Sequence, residues 1–409
     1  MKYKLIKSCQ ISGSKDLEKV LSLGLIPPVN QMSKVNYSPK DQIFFPTEIY
    51  YSPISKLVQL GIEVDKKILF PKQYPYTSST TKNLRDNFNN LSKEVLKNYN
   101  LSKEDLVIDI GSNDGNLLSN FKNTSRILGI TPENIGKIAR KKGIPTILKY
   151  FTFSLSKKIV SKYGKAKIVT ATNVFAHIAN VDSILKGIKK LLKTDGVFIN
   201  ESHYLKTLVD NNQFDTIYHE HLRYYSLCSL QYLYNKHGME IIEAKKIKTH
   251  GGSIRVYASI KGKYKINPKV KKMISIEKET LFKKDLFKLN YKVKRSKLLF
   301  FKLIEKIIKN KSKIYGISAP SRATTLINYF GVTRDIIDCI LEIDGSKKIN
   351  HFLPGTDIPI LNEKKLYFDQ PDYVLILSWH ISKEIIINLK KRGYKGKFIV
   401  PLPNPKIIN

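Results

Sequence analysis

Cysteine and arginine are scarce in this 409-residue chain, and each scarcity excludes something. The three cysteines, Cys9, Cys228 and Cys339, lie far apart and are too few to staple a secreted fold, so a reducing cytoplasmic setting is expected. In the opening segment MKYKLIKSCQISG, lysines interrupt each short apolar run, which leaves no signal-peptide core. No stretch approaches the about 18 apolar residues that a membrane span requires. Acidic residues are also few: 34 against 71 Lys and Arg, a formal charge of +37. That excess suggests nucleic acid, but only nine of the 71 are arginine, the side chain that grips phosphates and guanines as a fork. The lysines are spread along the whole chain with many Ile and Asn, as on solvated faces, so no nucleic-acid partner is expected. The positive field still favours an anionic substrate. With 42% hydrophobic and 10% aromatic residues the chain can bury cores, which excludes general disorder. Its length suits two or three domains of about 100–200 residues.

The first hundred residues read as short strands and loops, punctuated by Pro27-Pro28, Pro46, Pro53, Pro71 and Pro75. From Leu106 strands and helices alternate. LVIDI, RILGI (126–130), KIVTAT (167–172) and VFINE (197–201) read as strands, and PTILKYF as a candidate strand. NLLSNF, NIGKIARKKG and the stretch from Asp182 to Lys193 read as helices, the last stopped at Asp195-Gly196. Such alternation means a parallel, doubly wound sheet. IIEAKKI and SIRVYASI read as antiparallel edge strands. Between Pro268 and Lys311 there is neither Gly nor Pro, and apolar residues at Ile274, Leu281, Leu286, Leu289, Leu299, Leu303 and Ile307 give a long connecting helix or a helical pair. A second strand–turn–helix series begins at KIYGIS, with later strands IDCILEID, YVLIL and KFIVP and a helix capped by Ser382 and ended by Gly393.

Asp109, Gly111, Ser112, Asn113 and Gly115 sit at the carboxyl end of the first parallel strand, the edge where ligands bind in open α/β sheets. Glycines there let backbone amides approach a ligand, and a helix N-terminus adds positive dipole. The spacing is G-x-x-x-G, which is neither the dinucleotide G-x-G-x-x-G nor a phosphate loop ending in Lys-Ser/Thr. A purely structural tight turn is the alternative. Where the second strand usually ends near a ribose-binding carboxylate, this chain has Thr131, with Glu133 two residues on.

Tyr218-His219-Glu220-His221 places four functional side chains between the last parallel strand and a helix beginning near Ser226. If the segment is extended, alternate residues share a face, pairing Tyr218 with Glu220 or His219 with His221. A histidine beside a carboxylate suits removal of a proton from carbon next to a carbonyl. A metal is not expected, because H-x-H supplies two ligands and no matching set of Cys, His or Asp is evident. A hydrogen-bonded cluster with a packing role is the alternative. His177 follows the fourth strand onto the same edge, and Tyr74 to Ser79 form an aromatic loop able to cover a pocket. Thr249 to Ser253, with His250, make a glycine-rich turn into SIRVYA.

Together, IDIGSNDGNLL, ATNVFAHIANVDSIL, QFDTIYHEHLRYYSL, THGGSIRVYA, YGISAPSRATTLINYFG and HFLPGTDIPI resemble the sugar C-methyltransferases that act on nucleotide-linked deoxy keto-sugars, of the dTDP-sugar 3-C-methyltransferase type. The likeness runs in order along nearly the whole chain. It implies an α/β protein with a small N-terminal zinc-binding-like domain of loops and short strands (1–70) and a Rossmann-like S-adenosylmethionine domain (71–265). A helical connector (266–311) and a smaller α/β domain holding a nucleotide-diphosphate keto-sugar (312–409) would follow. By position the resemblance makes His221 the general base, assisted by Glu220, Tyr218 and His177, with Tyr76 over the sugar. It places Gly111, Ser112 and Asn113 along the cofactor, with Asn173 nearby. Ser321 and Arg322, in an A-P-S-R turn opening a helix, are anion-site candidates, and His250 is a candidate substrate contact.

One departure is large. Relatives of this type carry two C-x-x-C pairs, whereas here the strings are Cys9-Gln10-Ile11-Ser12 and Ser52-Pro53-Ile54-Ser55. A single thiolate cannot make a structural zinc site, so no zinc is expected. Thr131 is the second departure. Two other classes of function compete: a nucleic-acid-binding protein on a methyltransferase scaffold, suggested by the charge, and a non-catalytic nucleotide-sugar binder, suggested by the two departures.

Overall fold

A computed structural model describes residues 2–35, 42–70, 82–132 and 134–409. The chain builds three principal sheets around one continuous apolar core, to which each contributes buried side chains such as Leu21, Ile108 and Ile340.

The central sheet has seven strands in the order Met239–Ile247, Ser253–Ile260, Leu192–His203, Ala166–Thr172, Leu106–Ile110, Arg126–Ile130 and Thr146–Ile147. The last five run parallel and the Ser253–Ile260 strand runs antiparallel to both neighbours. Strand order reverses at Leu106–Ile110, so the crevice beyond its carboxyl end is the switch point where ligands lodge. SIRVYASI, expected at the edge, lies second, because it inserts between IIEAKKI and VFINE. Of PTILKYF only Thr146–Ile147 pairs. The helix expected from Asp182 to Lys193 spans Val181–Leu191; Asp195-Gly196 falls in a register shift between Leu192 and Val197 inside the following strand.

Two helices depart from the sequence reading. Lys82–Tyr99 is helical although the first hundred residues read as strands and loops; Leu84, Phe88, Leu91 and Val95 bury one face at helical spacing. Phe153–Tyr163 is also helical, capped by Thr152 Oγ1, which accepts from Leu155 N at 3.1 Å.

The N-terminal sheet is antiparallel, in the order Arg223–Tyr224, Leu57–Leu60, Phe45–Ser52 and Glu18–Ile26. Its outer strand comes from the segment just after the Y-H-E-H string, so the N-terminal sheet braces that loop. The C-terminal sheet has seven strands, with five parallel ones around Ile314–Ile317 and antiparallel edges at His351–Phe352 and Lys406–Ile408. Ser382 is the first residue of the Ser382–Lys391 helix, and Ile381 takes the cap position expected of it.

The connector is helical over Pro268–Ile276, Glu277–Asp285 (with π-type bonding) and Leu289–Lys309. It does more than connect. The buried Glu277 carboxylate accepts from Leu227 N at 2.7 Å and Cys228 N at 2.8 Å, satisfying the first turn of the Leu227–Lys236 helix that follows the Y-H-E-H loop.

Candidate active site

The glycine bend is built by backbone conformation. Gly111 (φ +81°), Asn113 (φ +51°) and Gly115 (φ +79°) all take left-handed geometry, as does Asn173 (φ +57°) after the Ala166–Thr172 strand. A Cβ on Gly111 would stand 2.3 Å from Val174 Cγ2, so only glycine lets these two loops meet. The amides of Gly111 and Ser112 both donate to Ile130 O, at 2.7 and 3.1 Å, so they brace the second strand. The helix after the bend, Asn116–Ser119, has four residues and carries little of the dipole expected of it. Asp109 is buried, and its Oδ1 accepts from Thr170 Oγ1 at 2.6 Å on the neighbouring strand. Burial pushes its carboxyl up to about 7. Thr131 is buried and its amide donates to Ile147 O at 3.0 Å.

Two polar atoms at this bend, Ser112 Oγ and Asn173 Oδ1, are buried with no hydrogen-bond partner among the described residues. Orphaned buried polar groups cost about 1–3 kcal/mol each unless a ligand or water satisfies them. The open bend with two waiting polar groups therefore fits a polar adenosyl cofactor. Replacing Gly111 with alanine should add about 1–3 kcal/mol of strain and displace Val174. S-adenosylmethionine affinity should fall roughly ten- to hundredfold, read by calorimetry. Unchanged affinity would separate the bend from the cofactor.

The Y-H-E-H string is a turn, not an extended segment: His221 N donates to Tyr218 O at 2.9 Å. That changes which residues share a face. The Tyr218 and His221 rings lie side by side, centroids 4.2 Å apart and tilted 33° to each other. His219 turns the other way, its Nε2 lying 3.0 Å from Thr47 Oγ1 and 3.2 Å from Pro46 O in the N-terminal sheet. Glu220 Oε1 accepts from Asn30 Nδ2 at 2.5 Å, and Asn30 Oδ1 accepts from Ser321 Oγ at 3.4 Å. Asn30 thus ties the loop to the start of the Ser321–Phe330 helix.

His221 Nδ1 lies 2.9 Å from Thr216 O. A carbonyl can only accept, so Nδ1 carries the hydrogen and Nε2 keeps its lone pair. Around this ring stand His177 at 5.0 Å and His203 at 5.4 Å between centroids, with His250 5.5 Å beyond His203. His177 and His250 were expected at the site. His203 was not, although it ends the Leu192–His203 strand and the strand-end rule applied to His177 would have found it. His250 (φ +54°) heads the turn whose Gly251 O accepts from Gln213 Nε2 at 2.7 Å. Tyr76, with the rest of the Tyr74–Ser79 loop, and Glu133 lie outside the described residues.

Loop 173–177 joins the two halves of the site. Val174 packs on Gly111 at one end, while Ala176 O accepts from Leu222 N at 2.9 Å and His177 meets His221 at the other.

Burial, and then His177, hold the His221 imidazole down at about 3; burial holds His177, His219 and His250 near 4 and His380 near 2. His203 is pushed well below its ordinary value by burial and by His221. These six rings are neutral at pH 7. On unfolding each would titrate near 6.5 and take up a proton in mild acid, so stability falls as pH drops below about 6.5. Asp109 and Glu201, raised by burial, act oppositely but are only two. The melting temperature should therefore drop between pH 7 and 5, followed by circular dichroism; a rise over that window would contradict the buried neutral cluster.

Arg322 was expected to bind an anion, but the structure commits it elsewhere. Its Nε and Nη2 each donate to Asp215 at 2.7 Å, and Nη1 lies 3.0 Å from His380 Nδ1. Lys348, which sequence reading passed over, reaches the A-P-S-R turn. Its Nζ donates to Ala319 O there, and burial lowers its ammonium below the ordinary value despite the opposing effect of Glu342.

Cys9 Sγ lies 3.1 Å from Ser55 Oγ and accepts from Ser12 N at 3.4 Å, so remnants of both C-x-x-C strings do meet. One thiol with neutral hydroxyls does not fit structural zinc. Among the described residues no group of three or more His, Cys, Asp or Glu is placed to hold a metal.

Two family models match the chain: a methyltransferase domain over residues 78–244 and a C-methyltransferase C-terminal domain over residues 248–403. The C-methyltransferase NovU of Streptomyces niveus is 29% identical over 410 residues, covering 99% of this chain and 97% of its own. The chain is thus similar to C-methyltransferases over nearly its whole length. A methyltransferase of Dictyostelium discoideum is 25% identical over 164 residues, 40% of this chain and 60% of its own. Among solved structures, an S-adenosylmethionine-dependent methyltransferase from Clostridium acetobutylicum covers 45% of this chain and 94% of its own, with 15% identity and a TM-score of 0.34. The methyltransferase matches support S-adenosylmethionine as cofactor, and Ser112 and Asn173 are buried polar groups that would fit it.

Proposed function

We propose that this protein methylates carbon C3 of a nucleotide-linked 4-keto-deoxysugar, through an enolate formed by His221. The observation that carries the reading is loop 173–177, which touches the glycine bend through Val174 and the base candidate through His177. In this reading cofactor and proton acceptor share one pocket. When bound, S-adenosylmethionine supplies a sulfonium methyl that is already electrophilic, so the protein's task is to make carbon nucleophilic.

A 4-keto group acidifies the C3–H bond. His221 Nε2 takes that proton, and the bonding pair passes into an enolate whose oxygen needs donors; Tyr218, whose ring adjoins His221, would supply one. His177 Nδ1 is buried without a partner among the described residues, which suits an acceptor kept for a hydroxyl of the ligand. The anionic nucleotide end would meet Ser321 and the partly buried Lys348. His250 and Tyr76 would contact sugar. Residues 71–265 would form the transferase unit and 312–409 the nucleotide-holding unit, with 1–70 folded without zinc. A cytosolic setting is part of this proposal; among the described residues no helix is long and apolar enough to cross a membrane.

The test is to incubate the purified protein with methyl-labelled S-adenosylmethionine and a panel of nucleotide-linked 4-keto sugars. Label should enter one member at carbon, and C3–H should exchange with deuterated water when cofactor is withheld. Tight cofactor binding with no transfer to any keto-sugar, or transfer to oxygen, would overturn the reading.

A further inference from the structure

Asp215 precedes the Y-H-E-H string by three residues and sits in the short 3₁₀ turn Phe214–Thr216, fully buried. A buried carboxylate demands partners, and all of these come from the C-terminal part of the chain. Arg322 grips it with two 2.7 Å bonds, and Trp379 Nε1 donates to its Oδ2 at 2.7 Å. The guanidinium also lies 4.8 Å from the Trp379 ring centre and donates to His380 Nδ1, which must be unprotonated to accept.

The next residue is Thr216, and its carbonyl accepts from His221 Nδ1. The backbone around that carbonyl is further fixed by Thr216 N and Oγ1, both donating to Gln213 O, at 3.1 and 2.8 Å. We propose that Asp215, clamped by Arg322 and Trp379, is a positioning residue: it holds the Thr216 carbonyl against His221 and so fixes Nε2 as the nitrogen that acts as base. The C-terminal part thereby governs the base from more than 100 residues away in sequence. Arg322 acts through Asp215 and is not a ligand for the substrate anion. This inference rests on the assignment of His221 as base.

The test uses Asp215→Asn and the milder Trp379→Phe in the full chain, labelled with ¹³C and ¹⁵N in histidine. The unsubstituted protein should show the His221 ring with hydrogen on Nδ1. Asp215→Asn should give a mixture of tautomers and lower kcat by about 10², with KM for both substrates little changed. Trp379→Phe should shift both in the same direction by less, and it answers the question if Asp215→Asn fails to fold. Folded variants with the original tautomer and unchanged kcat would overturn the proposal. The ring spectrum needs no substrate, so it reports on the clamp even if His221→Ala were to show that another residue is the base.

Discussion

His221→Ala should bind S-adenosylmethionine as the unsubstituted protein does, yet transfer methyl about 10²–10⁴ times more slowly, the usual cost of losing one acid–base group. The reasoning is positional. Among the described residues His221 is linked to the glycine bend through His177 and the 173–177 loop, so removing its ring should leave Ser112, Asn173 and the Gly111–Val174 contact intact. Single-turnover transfer measures the chemical step, and calorimetry with cofactor alone measures the part that should not change. A histidine held neutral by burial has its lone pair available at pH 7 without first losing a proton. Near-normal turnover would remove His221 from the mechanism.

Arg255→Ala should destabilise the fold by about 3–5 kcal/mol, the range found when one partner of a buried ion pair is lost. Arg255 is 1% exposed and meets Glu201, itself 0% exposed, together with Glu94 Oε2 at 2.9 Å and Asn87 Oδ1 at 2.8 Å. Asn87 Nδ2 completes the ring by donating to Glu201 Oε2 at 2.9 Å. Without the guanidinium, Glu201 keeps that amide and the more distant Lys245 charge against its burial. Burial already raises the Glu201 carboxyl, with Arg255 opposing the rise, so the variant's carboxyl should rise further and be neutral in mild acid. The penalty should therefore be smaller at pH 5 than at pH 8. Urea unfolding at both pH values checks this, and adding Glu201→Gln to Arg255→Ala should recover part of the loss at pH 8. A single-variant cost below about 1 kcal/mol would mean that water reaches the pair.

The network bears on the site as well as on stability. Asn87 comes from the Lys82–Tyr99 helix, Glu201 from the Leu192–His203 strand and Arg255 from the strand after the His250 turn. Three elements that end beside the pocket are thus tied together below it, with His203 two residues beyond Glu201. Glu277, under the Leu227–Lys236 helix, braces the same region from the connector.

Local patterns settled much of this protein. Alternating apolar strands and capped helices from Leu106 onward dictated the doubly wound sheet, because period-2 and period-3.6 burial cannot be exchanged without exposing a face. The carboxyl-edge position of Gly111, His177 and the Y-H-E-H string followed from that sheet alone. Tertiary structure decided whatever depends on partners distant in sequence. The turn at Tyr218–His221 separates His219 from His221 because Thr47 and the Pro46 carbonyl, over 170 residues earlier, receive one ring while Thr216 holds the other. Arg322 reads as an anion ligand by its helix-opening position, yet Asp215, 107 residues away, takes it, since a buried carboxylate is costly until a fork of donors satisfies it. Composition and spacing fix which side chains reach the crevice edge; only packing fixes which of their hydrogen-bonding atoms remain for a ligand.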